Sequence, residues 1–180
     1  MYSIVFEILF MRKKLVFLIF LSVLTLTYSC KKTYETKSAE VVINELMPVN
    51  SSTVADNYGE FDDWIELFNK SAATIDLSGF YLSDNHIKPS KWQFPQGTVI
   101  VGKGYLIIWA DGDSTQVGLH TNFKLSSSGE EAVLTKPDLQ VIDKISFPAA
   151  TQELSYSRVP NGTGAFKWQN PTYNKSNDLK

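Results

Sequence analysis

Chemistry in this 180-residue chain would have to come from two histidines, one cysteine and a few dense groups of carboxylates. A nucleophilic triad needs a base oriented by a third group. His86, in "SDNHIKP", is flanked by turn formers and reads as an exposed loop residue, while His120, in "GLHTNF", precedes a strand and suits a structural hydrogen bond. Zinc requires three or four closely organised ligands, which two separated histidines and one cysteine do not supply. No catalytic residue and no cofactor is therefore assigned.

Oxygen ligands for a hard cation are better represented. "DGDST" at 111–115 offers Asp111, Asp113 and Thr115 at alternate positions, as a calcium loop begins. The twelfth position of such a loop holds Asn122 instead of the closing glutamate, so Asp111 and Asp113 stay weak candidates beside a simple Asp-Gly turn. A second group, Asp56, Glu60, Asp62 and Asp63, is dense enough that its charges repel unless solvated or bridged by a cation. The stretch "SSTVADNYG" just ahead makes a long loop for a small domain, and such loops are functional or disordered. Tyr58, Phe61, Asp62 and Asp63 are accordingly the candidate interaction surface. In "DDWIELFN", alternation puts Glu66 on one strand face with Trp64 and Phe68. Catalytic acid, metal ligand and structural residue are all open for it, and the expected position is the solvent-exposed outer face of a sheet.

The elements that would hold these residues are short apolar runs broken by turn formers every 8 to 12 residues, the pattern of an all-β sandwich or barrel. Strands are predicted over 41–47, 64–69, 74–77, 80–83, 91–94, 98–101, 105–110, 123–125, 132–135, 141–147 and 154–158. Turns follow from "PQG", "GKG", "DGD", "SSSGE", "KPD" and "PNGTG". "YLIIWA" is apolar on both faces and is expected as a central strand; "VIDKISF", interrupted by Asp143 and Lys144, is expected near an edge.

The N-terminus has a different design. Arg12, Lys13 and Lys14 precede an apolar run from Leu15 to Tyr28, the order of a secretory signal peptide, and the run is shorter than the roughly 20 residues that span a bilayer. Met11 offers an alternative start. The only cysteine, Cys30, cannot form an intramolecular disulfide. "LTLTYSC" resembles a bacterial lipobox, which implies cleavage before Cys30 and lipid attachment to it, at about 0.8 kcal/mol of membrane affinity per buried methylene. The resulting domains are 1–29 signal peptide, 30–39 lipidated cysteine and polar tether, 40–170 folded domain and 171–180 C-terminal tail. Export would leave 14 basic against 18 acidic residues, a net of −4, which argues against a nucleic-acid partner.

From residue 40 to about 170 the chain resembles the lamin tail domain in its bacterial exported form. The match is carried by "VVINELMPVN", "DDWIELFNKS", "IDLSGFYLSD", "KWQFPQGTVIVGKGYLIIWADG", "HTNFKL" and "SSGEEAVL", in that order. The resemblance implies an immunoglobulin-like β-sandwich without catalytic residues. The expected function is that of a lipoprotein in the cell envelope, at the outer membrane on its periplasmic side or at the surface. It would meet the membrane through its lipid and present an interaction or scaffold module to an unknown protein or glycan. A calcium-stabilised adhesion or carbohydrate-binding module and an accessory protein to a hydrolase or nuclease remain alternatives.

Overall fold

Alternating apolar residues and closely spaced turn formers leave no segment with a helical period, and the computed structural model accordingly builds residues 40–178 from strands alone. The structure describes those residues; Cys30, the predicted signal peptide and the tether lie outside them. In chain order the strands are β1 (Val41–Met47), β2 (Trp64–Asn69), β3 (Ile75–Asp76), β4 (Tyr81–Ser83), β5 (Trp92–Gln93), β6 (Val99–Ile100), β7 (Tyr105–Trp109), β8 (Glu130–Thr135), β9 (Val141–Phe147), β10 (Ser155–Val159) and β11 (Ala165–Gln169). They form a five-stranded sheet in the order β11-β10-β1-β2-β7, a four-stranded sheet β5-β4-β8-β9, and a β3-β6 ribbon. Pairing is antiparallel throughout these sheets. This is the immunoglobulin-like sandwich that the resemblance implies, one of the two all-β forms, sandwich or barrel, that the strand pattern leaves open.

The core lies between the two larger sheets. Ile43, Leu46, Ile65, Leu67 and Ile108 from the first meet Leu82, Ala132, Leu134 and Phe147 from the second, all buried in one cluster. Each such side chain contributes about 1.5–3 kcal/mol by leaving water. The outer face of the five-stranded sheet is covered as well. There Met47, Trp64 and Trp109 form a second buried cluster, with Val54, Ile107 and Tyr173 packed on it.

A β-bulge in β1 makes that outer face polar. The register steps from Ile43↔Leu67 to Glu45↔Glu66, so Asn44 is the extra residue. Ile43 and Leu46 both stay in the core, and Asn44 and Glu45 meet partners over the outer face beside Glu66. All three polar side chains are fully buried. Residues 171–178 run back over them as a strap, Thr172 to Glu45, Asn174 to Glu66 and Asn177 to Asn44, beside Ser155 and the turn at Asn161 and Gly162, and so belong to the packed domain, not to a trailing tail.

Several strand expectations need correction. β7 is an edge strand of its sheet, although both its faces are covered. Its free edge is sealed by the loop that follows: Trp109 N–H donates to Leu119 O (2.8 Å) and Thr121 N–H to Trp109 O (2.8 Å). Segment 123–125 buries Phe123 and Leu125 but forms no strand, only a bridge between Asp111 and Lys124. Phe123 O accepts the Gly112 N–H (3.1 Å) that makes this bridge and also the Thr121 hydroxyl (2.7 Å), a local side-chain bond that competes with further ladder pairing. β11 was not expected. It pairs with β10 through the tight turn at 160–164, and Phe166 and Trp168 stack on Tyr156. Gly162 sits in that turn at φ 69°, with a Cβ there falling 2.6 Å from the Phe68 ring.

Candidate functional site

The loop between β1 and β2 carries the predicted surface, and its geometry is set by two polar side chains. Asn50, buried, donates from Nδ2 to Val54 O (2.6 Å) and Asp62 O (2.8 Å), and its Oδ1 accepts from the N–H groups of Thr53 and Val54. Asp56 Oδ1 accepts from the N–H groups of Tyr58 and Glu60, both at 2.8 Å, closing a turn completed by Gly59 at φ 82°. The long loop is thus pinned by its own hydrogen bonds.

Tyr58 and Phe61 project from it, 52% and 46% exposed. The Tyr58 hydroxyl accepts from Val117 N–H (2.8 Å), and its ring stands edge-on to His120 with centroids 6.0 Å apart. That contact brings a residue with no place in the sequence expectation to the surface: Val117 is 82% exposed. The only cue was a lone β-branched apolar residue inside "DSTQVGLH", a run otherwise built for turns.

The two aspartates separate in role. Asp62 stays at the loop surface, half-buried, its carboxyl pushed above the ordinary range first by desolvation and then by Asp111, Glu60 and Asp56. Asp63 turns inward. Burial pushes its carboxyl up to about 7, against the pull of backbone hydrogen bonds from Asn50 and Leu125. Asp63, partly exposed like Asp62, thus also anchors the loop.

Asp111 and Asp113 are both bonded by groups of the chain itself. Asp111 Oδ2 lies 2.5 Å from His120 Nδ1, a pair buried beside Trp109, and Asp111 Oδ1 accepts from Asp113 N–H (3.0 Å). Asp113 Oδ1 accepts from the Thr115 N–H and hydroxyl (3.1 and 2.5 Å), which holds its carboxyl below the usual range. These are turn and anchoring bonds. The residues whose ligand oxygens do approach one another, within 4.8 Å, are Asp56, Glu60 and Asp62. The second oxygens of Asp56 and Asp62 are shielded from solvent without a hydrogen-bond partner, and Glu60 Oε2 accepts from Gln116 Nε2 (2.9 Å). His86, in line with its sequence context, is an exposed loop residue; it pairs with Glu131.

Glu66 overturns its expected exposure: it is fully buried. A buried carboxyl needs partners, and it has them. Asn44 Nδ2 donates to Oε1 (2.9 Å) and Asn174 N–H to Oε2 (2.6 Å). Desolvation dominates and pushes its carboxyl up to about 8; Asn44 opposes this, Glu45 reinforces it, and the Asn174 amide opposes it again. Glu45 is held by Ser155 Oγ (2.5 Å) and by the Thr172 N–H and hydroxyl (2.9 and 2.5 Å). Neither carboxylate opens onto a cleft where a substrate could sit; both hold residues of the chain itself.

A shallow open pocket of about 340 Å³ is lined by Val42, Lys70, Ile142, Asp143, Arg158 and Gly162, the last of which donates its N–H to Asn44 Oδ1 (2.9 Å). Its guanidinium is bound by Asp143 Oδ1 and Oδ2 at 3.1 and 2.9 Å. Asp63, Glu66 and the Asp111–His120 pair are each engaged by groups of the chain itself.

A model of the Lamin Tail Domain family matches residues 35–149. No curated protein matches the chain.

Proposed function

The chain belongs to the lamin tail domain family, and from that we propose a non-catalytic cell-envelope lipoprotein that presents its immunoglobulin-like domain as an interaction or scaffold module. The observation that carries this reading is the exposed trio Tyr58, Phe61 and Val117 on loops pinned by Asn50, Asp56 and the Tyr58–Val117 bond. Aromatic side chains held rigidly at a surface lose little entropy on docking, which is why they anchor interfaces. The carboxylates around them, Asp56, Glu60 and Asp62, disfavour nucleic acid and leave a protein or glycan as partner. The basic cluster, apolar run and Cys30 support export and lipid attachment.

A photo-cross-linking residue placed at Tyr58 in cells should capture one discrete envelope component, and Phe61→Ala should weaken the capture. Adducts identical to those from a probe at the exposed Ile87 would reject the surface. Cys30→Ser should move the protein out of the membrane fraction; unchanged retention would reject the anchor. A melting midpoint that rises with calcium and falls with chelator would replace this reading with a metal-stabilised adhesion module, since a ligand of the folded state raises its stability.

A further inference from the structure

The strap at 171–178 is fastened by a small set of groups over a buried pair of glutamates. Glu45 and Glu66 are register partners across β1 and β2, and both are fully buried. Thr172 binds Glu45 through its N–H and hydroxyl, and Asn174 N–H binds Glu66. Asn177 Nδ2 donates to Asn44 O (2.9 Å) and Arg158 O (3.0 Å), while Thr172 Oγ1 reaches Asn177 Oδ1 (2.8 Å). Tyr173 lies edge-on to Trp64, with centroids 5.4 Å apart, and 6.1 Å from Trp109. Tyr173 adopts φ 36°, a left-handed value that a bulky side chain holds only when contacts enforce it, and Asn174 follows at 59°, which asparagine tolerates. The strap is therefore bent over the sheet by its contacts, and releasing it relieves backbone strain.

We propose that this strap is a proton-operated cover: it stays seated while Glu66 is neutral and lifts when Glu66 is charged, uncovering the Trp64–Trp109 face. The groups facing Glu66 cannot neutralise that charge. Asn44 is neutral and Glu45 is the like-charged partner on β1; the strap contributes the Asn174 N–H. Tyr105 of β7 and Tyr173 of the strap feel Glu66, and both phenols are held above their ordinary value, so they stay neutral below pH 10. The strap's own cation, Lys175, is exposed. With the strap seated, burial holds the Glu66 carboxyl at about 8; with it lifted, solvent returns the group toward 4.5. The seated state thus binds more protons between those values. The lifted population is smallest below pH 4.5, grows by up to about tenfold per pH unit as pH rises, and levels off above about 8.

Native-state hydrogen exchange of the full chain between pH 5 and 9, corrected for intrinsic rates, tests this. The Asn174 amide should lose up to roughly tenfold protection per pH unit up to about pH 8, while staying less protected than core amides such as Leu67. Glu66→Gln, which keeps the shape and removes the proton, should abolish the slope. Protection that is flat with pH, or that equals that of Leu67 at every pH, would overturn the proposal, as would a slope that survives in the variant. Should the variant fail to fold, the carboxyl of Glu66 in the unaltered protein can be followed by carbon NMR. A midpoint well above 4.5 that coincides with the pH at which the loss of Asn174 protection levels off supports the cover, and an ordinary midpoint near 4.5 overturns it.

Discussion

Replacing Arg158 by Met should cost the domain about 3 kcal/mol. Beyond the bulge, β1 pairs with β10 only at Glu45↔Ser157 and Leu46↔Tyr156, which leaves the Ile43 peptide groups without ladder partners on that side. An ion pair takes their place. Ile43 N–H donates to Asp143 Oδ2 (2.8 Å), and Arg158 Nε donates to Ile43 O (3.0 Å). Asp143 lies on β9, in the four-stranded sheet, so the pair also closes the sandwich from one sheet to the other. Arg158 Nη2 holds both Asp143 oxygens, and the guanidinium rests 4.6 Å from the Phe166 ring. Removing the arginine strands a carboxylate and a carbonyl. Breaking a buried pair costs about 3–5 kcal/mol, and the side chains here are 17% and 14% exposed, so the lower end applies. In urea denaturation followed by tryptophan fluorescence, Arg158→Met should lower the midpoint with the slope unchanged. Adding Asp143→Asn to Arg158→Met should cost less than the two single losses summed, by about 1–2 kcal/mol. A single-variant loss under about 1 kcal/mol would make this an ordinary surface pair and refute its role in closing the sandwich.

Asn69→Ala should destabilise by about 2–4 kcal/mol in the same assay, because the buried amide reaches Ala73 O, Ile100 O and Val101 O and accepts from Ser71. The carboxyl of Asp63 sits at about 7 in the folded state against 3.8 when free, so it favours folding fully below pH 4 and progressively less up to pH 7. Asp63→Asn should therefore flatten the decline of stability across that window by about 2 kcal/mol in total, after discounting for its partial exposure; an unchanged pH profile would contradict its inward role. Tyr58→Ala combined with Phe61→Ala should shift the urea midpoint by less than the equivalent of about 1 kcal/mol while abolishing partner capture, since both rings lie largely in solvent.

Local pattern made much of this fold legible. Strands β1, β2 and β9 fall where alternation and turn residues put them, because each buries one face on a neighbour nearby in the ladder. Asn69 closes the turn that ends β2 through a local bond, its Oδ1 accepting from Ser71 N–H two residues on. Tyr58 and Phe61 were readable because aromatics in a turn-rich loop have no sheet to bury them. Glu66 was not. Alternation correctly grouped it with Trp64 and Phe68, but whether that face is wet depends on Asn174, 108 residues away, and no local period encodes such a contact. β7 was misplaced for a related reason: two apolar faces report cover above and below, not a neighbour on each side. β11 was lost although Phe166 and Trp168 alternate about Lys167, because the run is short and lies in a segment crowded with turn formers.

The position of β1 has a mechanical consequence. Residue 40 leads straight into it, and β1 lies in the middle of its sheet, between β10 and β2. Tension arriving through the preceding residues acts along this strand, whose six paired positions with β2 resist in parallel as a shear joint instead of peeling one by one. The side-chain bolts at Ile43 and the strap's hold on Asn44 and Glu45 share the same load. A domain tethered at that end should yield at high force and in one step, with a rate set by the barrier to extracting β1.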